Sequence, residues 1–148
     1  MKKAISMFAA AVLASGIFAA QAGSQAKPAG GFDRLKTLVG EWNATPEGGK
    51  TFTSTIRFVS NSTALEETFD GEKHIQMVTL YTPDGNRVAL THFCSMGNQP
   101  RMETPGVTGD SNEFAFAFTG ATNLASTDDA HMHQLTLKID DSDHFSET

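Results

Sequence analysis

Two short stretches place nitrogen and sulfur donors at alternate positions. "THFC" sets His92 and Cys94 two residues apart, and "HMH" does the same for His131 and His133. In an extended chain, residues two apart share a face, so each pair points one way. Imidazole and thiolate together make a transition-metal donor set. A thiol beside an imidazole and a carboxylate has the order of a nucleophilic triad. Each pair also continues an apolar alternation. Val88 and Leu90 lead into His92 and Cys94, and Leu135, Leu137 and Ile139 follow His131 and His133. A core-directed stripe therefore ends in groups able to do chemistry.

Two tight turns predict which other residues join them. In "TPDGN", Pro83 and Asp84 suit a type I turn with Gly85 in the left-handed bulge position, a three-residue loop. Counting outward pairs Leu80 with Val88, Val78 with Leu90, Gln76 with His92 and His74 with Cys94. In "FDGE", Asp70-Gly71 reads as a two-residue hairpin loop, which pairs Glu67 with His74 and Leu65 with Gln76. Directly opposed residues share a face, with Cβ atoms about 5 Å apart. The expected inward face thus carries Glu67, His74, Gln76, His92 and Cys94, with His131 and His133 looking into the same space. The opposite face of the hairpin would carry Ile75, Met77, Tyr81 and Phe93. That set is too apolar for a wetted surface, so it packs under a helix, meets a partner, or marks a slipped register.

A single inward histidine is ordinarily a satisfied structural residue, but unpaired buried ionisable groups cost several kcal/mol each, so a set of them calls for partners, water or a ligand. Three chemistries fit, in this order. The first is a small-molecule pocket, polar at one end and lined at the other by Phe114, Phe116 and Phe118. The second is a metal or haem site using His92, Cys94, His131 and His133, with Glu67 or His74 completing it. The third is a cysteine enzyme with Cys94 as nucleophile, His74 as base and Glu67 as orienter, although no oxyanion hole is legible. In "GNQPRM", Arg101 either binds an anion at the pocket mouth or pairs on the surface with Glu103 or Asp110.

The elements that must position these groups are strands. "FDRLKTLVG" has Phe32, Leu35, Leu38 and Val39 at helical spacing and predicts a short helix. Beyond it nearly every segment alternates with period two. "TFTSTIRFV" places Phe52, Ile56 and Phe58 together, and turn chemistry separates the runs. An antiparallel up-and-down barrel follows, or else a sandwich. The alternation is still running at "DHFSET", which predicts that closing strands are missing or that a second copy covers the edge as a homodimer.

Residues 1–22 read as an export leader: a "MKK" start, an apolar run, and a small-x-small "AQA" site. Cleavage after Ala22 leaves 126 residues, a flexible lead over 23–31 and one domain over 32–148, in the periplasm or outside the cell. Losing Lys2 and Lys3 takes the formal charge from −6 to −8. With no basic stripe, nucleic acid is excluded as a partner, and after cleavage no membrane anchor is expected. One cysteine cannot make an intramolecular disulfide, so Cys94 is a free thiol, an intermolecular partner or a ligand. "NAT" at 43–45 and "NST" at 61–63 match a glycosylation pattern of low specificity.

"LVGEWNA", a helical lead followed by Gly-x-Trp on a first strand, resembles the start of lipocalin-type (calycin) barrels. The longer run "HIQMVTLYTPDGNRVALTHFCSMGNQPRM" with "HMHQLTLKI" is similar to a family of bacterial barrel proteins without assigned function. The resemblance spans residues 32–148 and extends distantly to nitrobindin-like barrels, which hold haem through one histidine. It implies a ten-stranded or similar barrel with an internal cavity, Trp42 packed across its closed end, and continuation beyond "SET". It assigns no activity.

Overall fold

The computed structural model describes residues 30–70 and 76–148; the segment expected to be an export leader, most of the expected lead and His74 lie outside the described residues. A six-residue helix, α1 (Gly30–Leu35), runs into a turn of 3-10 helix (Lys36–Leu38). Nine strands follow: β1 (Gly40–Ala44), β2 (Phe52–Val59), β3 (Ala64–Asp70), β4 (Gln76–Asp84), β5 (Arg87–Phe93), β6 (Gln99–Glu103), β7 (Glu113–Thr122), β8 (Gln134–Ile139) and β9 (Phe145–Glu147). Each pairs antiparallel with the next, in sequence order, to form a single curled half-barrel sheet. The expected all-β meander with one short N-terminal helix is the observed fold. No helix among the described residues is long and apolar enough to cross a membrane.

The helix packs its apolar side against the sheet. Phe32, Leu35 and Leu38 are buried, as their spacing predicts, and they join Ile56, Leu65, Leu90, Phe116 and Leu137 in one core. Val39 instead turns outward at 39% exposure. The helix begins at Gly30, inside the segment expected to be a flexible lead. Glycine is required there by proximity: a Cβ on Gly30 would lie 2.5 Å from the Gly109 Cα, backbone against backbone. Gly30→Ala should therefore force the helix off the β6–β7 connection and destabilise the protein by about 1–3 kcal/mol in urea unfolding, whereas Gly48→Ala, with open space around it, should be felt only through its backbone angle.

Both expected hairpin registers are corrected. In β4–β5, Asp84 pairs with Arg87 and Tyr81 with Leu90, leaving the two-residue loop Gly85-Asn86. Gly85 has φ +61, and glycine at the first central position is the type II′ arrangement, which matches strand twist better than a type I turn. In β3–β4 the ladder ends at Asp70 opposite Gln76, so the connection spans residues 71–75 rather than two. Each difference is an odd number of residues, so each turns β4 over. Met77, Thr79 and Tyr81 face inward in place of Gln76, Val78 and Leu80. Because the two reversals cancel, β3 and β5 keep their expected relation, and Glu67 and His92 share the inner face through Thr79, which opposes both. Met77 and Tyr81, two of the residues expected on the apolar outer face, thus belong to the inner one, while Phe93 stays outside and Ile75 lies outside the described residues.

Candidate binding cavity at the strand seam

An odd number of alternating strands leaves β1 and β9 running in the same direction, and neither pairs with the other. Side chains bridge the seam instead. Trp42 meets Phe145 edge-on with ring centroids 4.7 Å apart, and the Trp42 indole N–H donates to the Leu38 carbonyl at 2.8 Å. Along this seam lies a cavity of about 350 Å³. Its apolar wall is Trp42, Phe52, Phe69 and Phe145, with Phe52 and Phe69 also edge-on at 5.9 Å. Its inner polar wall is Ser54, Glu67 and Glu147, and the exposed Asn43, Thr45, Asp143, His144 and Ser146 also line it.

Glu67 is 0% exposed and both its carboxylate oxygens are taken. Ser54 Oγ donates to Oε1 at 2.7 Å and the Tyr81 hydroxyl to Oε2 at 2.9 Å. The same hydroxyl lies 3.2 Å from Glu147 Oε1. A phenol carries one proton. When Tyr81 gives it to Glu67, its contact with Glu147 is a hydrogen bond only if Glu147 is itself protonated. Burial raises the Glu67 pKa above the usual carboxyl value, working against the hydrogen bonds that lower it. Glu147 is pushed up to about 8, first by burial and then by the Glu67 charge. Burial and the two neighbouring carboxylates hold the Tyr81 hydroxyl well above 10. At neutral pH the trio therefore stores a proton.

One row along, His92 is buried and its Nδ1 lies 2.9 Å from Thr79 Oγ1. Burial lowers its pKa, so it is neutral near pH 7. The strand alternation that predicted an inward His92 is right, but its partner is a threonine on β4 and it does not line the seam cavity.

The other expected site residues are dispersed. Gln76 is exposed, on the outer face opposite Asp70. Cys94 lies one residue past the end of β5, half-buried in a turn where its N–H donates to the Asn98 carbonyl and its carbonyl accepts from Gly97. Strand alternation ends before it, so its parity no longer fixes its direction. Arg101 points out from β6 and is exposed, while its neighbours Pro100 and Met102 point in. His131 and His133 precede β8 rather than belonging to it. They gather at the rim around Phe118, with centroids 4.8 and 5.5 Å from its ring, and His131 Nε2 lies 3.3 Å from His133 Nδ1. Phe114 and Phe116 are buried in the core and do not line the seam cavity.

The four donors expected for a metal or haem do not converge, and among the described residues no group of three or more His, Cys, Asp or Glu side chains could hold a metal ion. Of the expected triad, Glu67 accepts from two hydroxyls and Cys94 lies in the turn after β5, while His74 lies outside the described residues.

Sequence reasoning missed Ser54, Tyr81 and Glu147. Ser54 shares the alternation of Phe52 and Ile56, so a polar residue on an apolar stripe was the available signal. Tyr81 was hidden by the register of β4. Glu147 follows Phe145 by two residues, but nothing local says that β9 returns to Glu67. No protein-family model matches the chain, and no curated protein matches it.

Proposed function

We propose that the protein is an exported carrier or receptor that holds a small molecule in the seam cavity. The carrying observation is the cavity's composition: four aromatic side chains face a fully buried carboxylate, with Ser54 and Glu147 beside it and further polar groups around the opening. Small-molecule sites combine a mostly apolar wall with a few fixed hydrogen-bonding groups, and this cavity has both. Export follows from the leader in residues 1–22, and the calycin-type likeness of "LVGEWNA" fits a barrel that binds rather than catalyses. His92, two residues from Cys94, has its Nδ1 on Thr79 rather than on the thiol, which gives a cysteine enzyme no support.

The test is native mass spectrometry of protein isolated from its own host. Bound mass should accompany the wild-type chain and be lost in Ala44→Trp, which fills the cavity from β1 without touching Glu67, Tyr81 or Ser54. Circular dichroism and melting establish that this variant is folded. Wild-type protein that repeatedly carries no additional mass would count against a carrier.

A further inference from the structure

We propose that the seam cavity selects an organic ammonium ion, with its charged head against Glu67 and Glu147 and its hydrocarbon body between the two edge-on aromatic pairs. This rests on the binding reading above and names the chemistry of the ligand.

Charge is the first argument. Among the described residues the titratable groups lining the cavity are Glu67, Asp143, His144 and Glu147, with no lysine or arginine. The single base is already matched, since His144 Nδ1 lies 3.0 Å from both carboxylate oxygens of Asp141. Among the described lining residues an anionic ligand would meet three carboxyl groups and no lysine or arginine. Shape is the second argument. In an edge-on pair the edge of one ring covers a single face of the other, so the pair itself uses only one of the four ring faces, and a cation is attracted to such faces, more strongly when desolvated.

The proton stored by the trio supplies the third argument. The groups packed around the two carboxyls are Ser54 from β2, Tyr81 and Thr79 from β4, Trp42 from β1, and Asp143 with His144 from the turn before β9. His92 lies beyond Thr79 on β5. Among the described residues none of these strand neighbours is a cation at neutral pH, so the carboxyl pair keeps a proton for want of a better counter-charge. An ammonium head replaces it. Its N–H groups donate to the carboxylate oxygens, and the displaced proton leaves to solvent. Binding and proton release are then one event, and affinity climbs with pH until Glu147 is ionised without help.

The single tryptophan, Trp42, lines the cavity and reports occupancy by its fluorescence. The full chain would be titrated at pH 6 and pH 8.5 with phenethylammonium, its neutral isostere 2-phenylethanol and the anion 3-phenylpropanoate. At pH 8.5 the ammonium should bind at least about tenfold tighter than the alcohol, a difference of about 1.4 kcal/mol. From pH 8.5 to 6 its affinity should fall about tenfold or more, while the alcohol's stays level and the anion does not bind. Calorimetry in buffers of different ionisation enthalpy should show proton release for the ammonium alone. Glu147→Gln should flatten the pH dependence. Equal or tighter binding of the alcohol at pH 8.5 overturns the cation but leaves the carrier standing. Failure of all three probes also overturns the cation, and the carrier is then judged on its co-purified mass alone.

Discussion

Raising the pH from 6.5 to 8.5 is expected to cost the folded protein about 2 kcal/mol, and Glu147→Gln should abolish that loss. The sign follows from linkage. A carboxyl whose pKa is raised on folding binds its proton more tightly in the native state, so its stabilising contribution is complete below the unfolded value and is lost as pH climbs to the folded one. For Glu147 that window runs from 4.5 to about 8. The full difference over that window corresponds to about 5 kcal/mol, of which about 2 falls between pH 6.5 and 8.5. His92 works in the opposite direction. Its pKa is lowered by burial, so its contribution is present above 6.5 and is lost as pH falls. Below 6.5 the two trends oppose one another, and above it only the carboxyls remain. Tyr81 enters only above 10. A melting series at pH 6.5, 7.5 and 8.5 should therefore show a steady fall of about 4 °C per kcal/mol. The Glu147→Gln protein should melt at one temperature throughout and above wild type at pH 8.5. A wild-type melting temperature that rises across this interval would mean that Glu147 is not buried against Glu67.

What the sequence reveals and what it hides divides along strand β4. The meander, the helix before it and the inward direction of Glu67 and His92 all follow from alternation, which is local and strong. β4 was assigned the wrong face because "TPDGN" supports two loops of different length, and hairpin loop length fixes register. "FDGE" looks like a complete two-residue turn, yet the ladder stops at Asp70 and Gln76. Tyr81 thereby appeared to face solvent, although Met77, Tyr81 and Phe93 together were already too apolar for that. Only Phe93, at 43% exposure, remains outside.

The site itself was less legible than the fold. His131 and His133 satisfy the alternation of β8 on paper, but the strand begins at Gln134 and the rim holds them against Phe118. Cys94 fails in the same way at the other end of a ladder. Donors at strand termini inherit a face from the pattern without the hydrogen bonds that enforce it. The cavity instead forms where the sheet fails to close, and that seam is a property of strand number and curl rather than of any motif.

The largest single-residue effect should come from Glu67→Ala, a loss of about 3–5 kcal/mol in urea unfolding at pH 6.5. The substitution removes the acceptor for two buried hydroxyls, on Ser54 and Tyr81, and opens a void beside the existing cavity. Replacing a buried acceptor is costly chiefly through the partners left unpaired, so the conservative change should separate the two contributions. Glu67→Gln keeps the volume and one acceptor oxygen. Tyr81 can turn its proton to Glu147 at 3.2 Å, and the expected cost falls to about 1 kcal/mol. The same variant removes the charge that helps hold Glu147 near 8, so its loss of stability with pH should begin and end at lower values than in wild type. Tyr81→Phe should fall between the two, because it strips one oxygen of a fully buried carboxylate of its donor while preserving the ring that packs at 5.9 Å from Phe116. The order Ala, then Phe at position 81, then Gln is the signature of a carboxyl held by hydroxyls. If Glu67→Ala costs no more than Glu67→Gln, the two hydroxyls do not depend on Glu67, and the polar wall of the cavity is not assembled around it.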